Sequence, residues 1–238
     1  GELEKRLLEH GDPQRAVGEK KYLKSDLEFF GTPMRAIREV VTTFGRDSRS
    51  KDDLFAIALT LWSRPIFESR MACVLLLERC APSLSLQDLP AIEKLIRESR
   101  TWALVDPLAV NVTGELILHH RDALQVLERW ASDEDFWIRR SLLLAHLKPL
   151  RRGLGDSSFY HHADIMLSEK EFFIRKAIGW VLREIAKRNP AEVFEWLAPR
   201  THIASGITMR EATKYLDEHQ RHTLTAAYKE TRPASVQS

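Results

Sequence analysis

Cysteine is nearly missing from this chain of 238 residues; there are two, Cys73 and Cys80. Two thiols seven positions apart make neither a disulfide framework nor a zinc quartet, and they read as core thiols. Long hydrophobic runs are missing too, for none approaches the ~18 residues that a membrane span needs, so no membrane partner is expected. The opening Glu2-Leu-Glu-Lys-Arg-Leu-Leu-Glu9 is charged and amphipathic, and no signal peptide is expected. There is no P-loop, no GxGxxG, no GxSxG and no kinase set. The histidine pairs His119-His120 and His161-His162 are adjacent in sequence, so each pair splits between two helix faces. No carboxylate or cysteine stands in pattern with them, and neither a metal nor any other cofactor is expected. Charge of one sign is not in excess, with 36 Lys and Arg against 34 Asp and Glu. A role on nucleic acid must therefore rest on where the cations sit. These absences argue against secreted disulfide scaffolds, membrane-spanning proteins and structural zinc domains. They point to a reducing cytoplasm, with association to the nucleoid if the source is a prokaryote.

What is present is a helical pattern. Hydrophobic residues make up 44% and charged residues 29%, enough for a core and too apolar for a disordered chain. Prolines follow capping residues at Asp12-Pro13, Thr32-Pro33 and Asn189-Pro190, where they suit the first helical position. Between such marks run stretches of roughly 10–17 residues with a 3.6-residue period. Leu54 to Leu61, Met71 to Leu77, Ser141 to Leu150 and Phe172 to Ile185 are examples. Strand signals are scarce. The chain reads as one all-α domain over 1–230 with a loop at Arg151–Ser158 and a disordered tail over 231–238.

An internal repeat organises these helices. Ser132-Asp-Glu-Asp-Phe-Trp-Ile-Arg-Arg-Ser141 aligns with Ser168-Glu-Lys-Glu-Phe-Phe-Ile-Arg-Lys-Ala177. Ser63-Arg-Pro-Ile-Phe-Glu-Ser-Arg-Met-Ala72 follows the same frame, and a weaker copy starts at Ser99. The starts at 63, 99, 132 and 168 are 36, 33 and 36 residues apart. That is the length of a helix pair, and the expected fold is a right-handed α-solenoid of HEAT-like pairs with one concave basic groove. The serine is expected to cap the second helix of each pair. Seven positions after it stand Arg70, Asp106, Arg139 and Arg175. One acid among three cations is either an ion-pair partner between repeats or a reactive group.

Two tryptophans stand out. On the wheel of the helix from about Phe172 to Arg188, Trp180 points away from the apolar arc of Ile174, Ile178, Val181, Leu182 and Ile185. Lys176, Arg183 and Lys187 share its side. An indole among cations suits a surface that grips phosphates and touches sugar or base, although packing against the next repeat accounts for it equally. Trp102 and Asp106 are spaced i, i+4, which on a helix sets indole beside carboxylate. Asp106-Pro107 also reads as an N-cap followed by proline at N1, in which case Asp106 merely closes a helix end. Further cations gather at Arg139, Arg140, Lys148, Arg151 and Arg152, and again from Lys170 to Arg188.

Ser168–Pro190 resembles the signature of the AlkD-type DNA alkylation repair glycosylases. So do Leu61–Arg70, Trp102-Ala-Leu-Val-Asp106, Trp137-Ile-Arg-Arg140, Tyr22-Leu-Lys24 and Met209-Arg-Glu-Ala212, in order along about residues 2–218. The resemblance implies a HEAT-like fold and a monofunctional glycosylase that removes cationic N3- and N7-alkylated purines, including bulky adducts, from double-stranded DNA. It needs no cofactor and no obligate protein partner. Carried over by position, Asp106 is the catalytic carboxylate. Trp102 and Trp180 hold the lesion's sugar-phosphate backbone. Arg140 contacts DNA, with Arg139, Arg175, Lys176, Arg183, Lys187 and Tyr22 on the same surface. Two departures mark this chain. Ala103 stands where the family often has an acid, and the turn Phe30-Gly31-Thr32-Pro33 is shorter than usual.

The chemistry agrees with that inventory. Glycosidic cleavage passes through an oxocarbenium-like sugar and usually needs an acid and a carboxylate. A cationic purine leaves as a neutral base, so the carboxylate alone suffices. A non-catalytic solenoid that binds DNA junctions keeps the basic stripe without needing Trp102 and Asp106 together. A protein scaffold of HEAT units leaves Trp180 among cations without a purpose.

Overall fold

The computed structural model describes residues 1–44, 49–155 and 157–231. Of the expected tail over 231–238, all but Thr231 lies outside the described residues. The fold is all-α. Among the described residues, extended pairing is limited to one isolated parallel bridge between Glu28 and Ile66. It is made by the Glu28 N–H on Pro65 O and the Phe67 N–H on Glu28 O, each at 2.8 Å.

The chain divides into two compact units, Gly1–Ala123 and Leu124–Ser238. In the first, the helix Phe67–Cys80 is the central element, with Met71 to Leu77 buried on every face. A helix apolar all round must be covered all round. The helices Met34–Phe44 and Lys51–Trp62 and the segment after Leu108 pack around it. In the second unit the central helix is Phe172–Ala186. Ile174, Ile178, Val181 and Leu182 are fully buried, each contributing about 1.5–3 kcal/mol by leaving water. Phe136–Ala145 and Gly206–Ala212 pack against it. Gly179 permits the second approach, because a Cβ there would lie 2.7 Å from Glu211 Cβ.

The repeat frame reappears as contact distance along the chain. Trp62 Nε1–H donates to Glu98, 36 residues on, at 2.7 Å. Asn111 Nδ2–H donates to Glu78, 33 residues back, at 2.7 Å. In the second unit the Thr208 hydroxyl donates to Arg175 O, and Arg200 pairs with Asp164, across 33 and 36 residues. Equivalent positions of successive helix pairs are therefore spatial neighbours, as stacking requires.

Four local expectations are corrected. The frame serine ends the preceding helix instead of capping the next. Ser63 follows Trp62 and its hydroxyl donates to Thr60 O, while the Ser99 hydroxyl donates to Leu95 O. The caps fall three residues later, on Asp135 and Glu171, which accept from Trp137 N–H and Phe173 N–H. Second, Asp12 and Asn189 cap as expected, but Thr32 does not. Its hydroxyl donates to Leu7 O, and the next helix starts at Met34. Third, the expected helix Ser141–Leu150 is two, Phe136–Ala145 and Leu147–Arg151. Pro149 has no N–H for Ala145 O, which stops the hydrogen-bond ladder there. Fourth, of the two readings open for Asp106 the capping one fails, because the helix that holds it starts at Trp102 with Thr101 as its N-cap.

Candidate functional site

The first unit presents an indole and a carboxylate on one helix face. Thr101 is extended, at φ −150° and ψ 139°, and Trp102 is the first helical residue. Asp106 follows one turn on, inside the helix Trp102–Pro107. The Asp-Pro pair reads locally as a helix start, but Leu104, Val105, Leu108 and Ala109 are fully buried and draw the chain into helix five residues earlier. What remains outward is Trp102, Ala103, Asp106 and Pro107. Pro107 removes a donor within the helix, and the backbone widens into a π-helical stretch over Leu108–Thr113 before Gly114–His119. The Thr113 hydroxyl donates to Leu108 O, five residues back, at 3.2 Å. Single π turns inside α-helices occur often at functional sites.

Tyr22 meets this face. Its ring stands edge-on to the Trp102 indole, with centroids 6.1 Å apart and planes at 90°. Tyr22 is 73% exposed and Trp102 is 37% exposed. Two large aromatic rings that pack on each other yet stay in water are poor core and good contact surface.

A further residue, unmarked by the sequence reading, organises the short turn. Glu68 is fully buried, and its carboxylate accepts the N–H groups of Phe30, Gly31 and Thr32 at 2.9, 2.7 and 3.1 Å. Three donors offset the cost of burying a charge. Gly31 has φ +75°, and a Cβ there would collide with the Asp12 carbonyl. The signal available in the sequence was an acid one turn ahead of the apolar run Met71–Leu77.

The arginine column does backbone work. Arg139 Nη1–H donates to Asp133 O at 2.6 Å, and Arg175 Nε–H donates to Glu169 O at 2.7 Å. Arg70 reaches Arg64 O at 3.4 Å and Glu98 O at 2.9 Å. Each clamps the carbonyl six residues back, at the position just after the frame serine. Arg139 also pairs with Glu169, at 2.9 and 2.8 Å. Asp106 occupies the same column, and a carboxylate, an acceptor only, cannot make that clamp.

In the second unit Trp180 is half-buried on Phe172–Ala186. Lys176 is exposed, with its ammonium 5.6 Å from the Phe172 ring. Lys187 is exposed, pairs with Glu184 at 3.0 Å and lies 5.6 Å from the Tyr215 ring. Arg183 is half-buried and paired with Glu211. Arg140 is only 3% exposed. Its Nη1–H donates to Phe173 O at 2.6 Å and its guanidinium faces that ring. The cations expected on one surface thus divide into exposed lysines and arginines engaged within the unit.

Other chemistry is weakly provided for. Burial pushes the Cys73 thiol far up and the Cys80 thiol to about 11, so neither is a ready nucleophile. His161 and His162 both contact Glu128 at 2.8 Å, and His162 meets buried His146 at 2.9 Å. Among the described residues no group of three His, Cys, Asp or Glu side chains is arranged to hold a metal ion. Nor is any described helix long and apolar enough to cross a membrane.

Fold and site together define a helical-repeat protein with an exposed aromatic–carboxylate face in one unit and an indole with exposed lysines in the other. The chain belongs to the DNA alkylation repair enzyme family, whose sequence profile matches residues 3–216. A structure described as a predicted DNA alkylation repair enzyme from Enterococcus faecalis is similar in fold, with a TM-score of 0.78 at 23% identity. The match covers 88% of this chain and 98% of that one. The protein smu.31 from Streptococcus mutans UA159 aligns with a TM-score of 0.61 at 15% identity, over 86% of this chain and 98% of its own. No curated protein matches the chain.

Proposed function

We propose that this family member is a monofunctional DNA glycosylase that hydrolyses the N-glycosidic bond of cationic N3- and N7-alkylated purines, bulky adducts included, in double-stranded DNA. One observation carries the reading. Trp102 and Asp106 lie one turn apart on the outward stripe of one helix, with the Tyr22 ring against the indole.

In the first step the bond between C1′ and the purine nitrogen breaks, and its electron pair passes to the base. The base carries a positive charge beforehand and leaves neutral, so no acid needs to protonate it. Positive charge appears on the sugar instead. The Asp106 carboxylate stabilises that charge, and it takes a proton from the water that adds to C1′, leaving an abasic site. The Trp102 face adds cation–π attraction to the same sugar, and Tyr22 fixes the indole. From the second unit, Trp180 touches the backbone, and Lys176, Lys187 and Arg183 supply charge to phosphates. Arg139, Arg140 and Arg175 support that surface through the turns and helix ends they clamp. No step asks for a metal or cofactor.

The test is base release from DNA treated with a methylating agent, with the free base identified by mass. The parent is expected to release N7-methylguanine or N3-methyladenine and Asp106→Asn to release neither at a comparable rate. A parent that binds such DNA and releases nothing overturns the glycosylase reading in favour of a non-catalytic binder.

A further inference from the structure

A pocket of about 510 Å³ in the first unit adjoins the aromatic pair along both chain segments that carry it. Lys24 lines it two residues after Tyr22, and Arg100 lines it two residues before Trp102. Arg70 and Arg97 complete four cations, with the carboxylates of Asp26 and Glu98 on the same wall, and Arg97 also pairs with Glu93 at 2.7 Å. Glu98 is engaged elsewhere, accepting from Trp62 Nε1–H and lying 3.8 Å from Lys94.

The backbone at this pocket is unusual. Lys24 and Arg100 have φ of +49° and +47°, and among the described residues no other non-glycine residue has positive φ. Each terminates a helix in the left-handed conformation that glycine adopts at least cost. At both positions the chain carries a long cation instead, and both cations line one cavity. A cation at a helix C-terminus gains from the helix dipole. That gain does not explain why the two termini converge with Arg70. Burial lowers the Arg70 proton affinity, the Glu98 carboxylate beside it raises it in part, and the Arg100 charge adds a smaller lowering. A bound anion adds to the partial compensation that Glu98 gives the cations of the pocket.

We propose that the pocket lined by Lys24, Arg70, Arg97 and Arg100 binds a backbone phosphodiester of the DNA strand whose nucleotide lies against Tyr22 and Trp102. Guanidinium forks suit phosphate oxygens, and Lys24 adds a mobile point charge. The placement rests on DNA being the substrate; the anion site itself does not rest on base excision.

The test uses Lys24→Gly with Arg100→Gly in the full chain. Glycine relieves both left-handed residues, so the double variant is expected to melt at or above the parent's temperature. Binding of an undamaged duplex, followed by fluorescence anisotropy, is expected to weaken about tenfold at low salt. The slope of log affinity against log salt is expected to lose about one unit, for one phosphate contact. Lys24→Gln with Arg100→Gln removes the same charges without the backbone change and is expected to give the same slope. In the parent, inorganic phosphate is expected to shift the Arg70 Nε–H resonance, and in either double variant it is not. A parental slope and affinity in both double variants overturns the site. A phosphate-induced Arg70 shift with no change of slope also overturns it, for the pocket then takes a free anion and not DNA. Excision activity is read separately. A parent that excises bases while the slope stays parental keeps the glycosylase reading and loses this site, and a fallen slope without excision does the reverse.

Discussion

Each unit presents a tryptophan from a helix, and the two helices are built differently. Phe172–Ala186 is fifteen residues of uninterrupted α-helix, capped by Glu171 and fixed by a fully buried aliphatic stripe. Trp102 opens a helix whose N-cap, Thr101, makes no capping bond and buries its hydroxyl without a partner. Six residues on, Pro107 gives way to a π-helical stretch. Apart from the interior Gly179, local rules agree in the first helix, and several are broken in the second. A chain tolerates such conflict where surrounding burial holds it, and conflicts of this kind gather at functional sites. Under the proposed function, the regular helix would carry a contact surface and the irregular one the reacting group.

The largest expected effect breaks that contrast at its reactive end. Asp106→Asn is expected to lower base release by about 10²–10³-fold, as loss of other electrostatic stabilisers does. Melting temperature and duplex affinity are expected to stay near the parent's, because Asp106 caps no helix. Single-turnover rates set beside anisotropy separate the two effects. Retained excision moves the chemistry away from Asp106.

Pro107→Ala makes the irregular helix resemble the regular one. With its N–H restored the segment can close ordinary bonds through the π stretch, which rotates Trp102 and Asp106 relative to the anchored residues after Val110. Excision is expected to fall more than tenfold while stability holds or rises by about 1 kcal/mol. Unchanged excision with an unchanged melting point argues that the proline has no part in presenting the site.

Glycine contacts sharpen the comparison on the packing side. Gly31→Ala meets both a left-handed φ and the Asp12 carbonyl, and a loss upwards of about 2 kcal/mol is expected by denaturant titration. Gly179→Ala has ordinary helical φ but sets a Cβ 2.7 Å from Glu211 Cβ and 3.2 Å from Thr208 O, which only a shift of the whole helix Gly206–Ala212 relieves, and a somewhat smaller loss of about 1–2 kcal/mol is expected. The reverse order places more stress on the packing at Gly179 than on the turn at Gly31.

The smallest effect concerns acid. Hydrogen bonds from His162, and then His161, hold the Glu128 carboxyl below its ordinary value of 4.5. A carboxylate lowered in the folded state adds stability above its unfolded pKa and loses it as pH falls through the folded value. Glu128→Gln is therefore expected to be less stable than the parent at pH 6–7 and to converge with it below about pH 4. Glu128 is about half exposed, so the difference is expected to stay under about 1 kcal/mol. A gap that persists at pH 3 assigns the effect to packing.

Much of the fold was legible beforehand because it rests on periodicity. The 36-residue spacing, the apolar stripe of Phe172–Ala186 and the Asp12 and Asn189 caps are local or repetitive signals, and the structure contains each of them. The frame serines were misread because a serine before an extended turn can cap either way. Ser63 and Ser99 close their own helices, on the carbonyls of Thr60 and Leu95, three and four residues back. Cations are ambiguous in the same way. Lys176 and Arg140 look alike on a helical wheel, yet one is exposed and the other lies under Phe173, which a wheel cannot distinguish.

The sequence by itself determined that the chain is all-α, that it repeats, and that Trp102 and Asp106 stand one helical turn apart. Those properties follow from hydrophobic period and residue spacing, which act over a few residues. Only the tertiary structure decided that Asp106 lies inside its helix and that Glu68 grips the short turn. It alone decided that Lys24 and Arg100 face one pocket. Each depends on groups more than thirty residues apart or on burial of a whole helix face, and burial outweighs a local capping preference of about 1 kcal/mol.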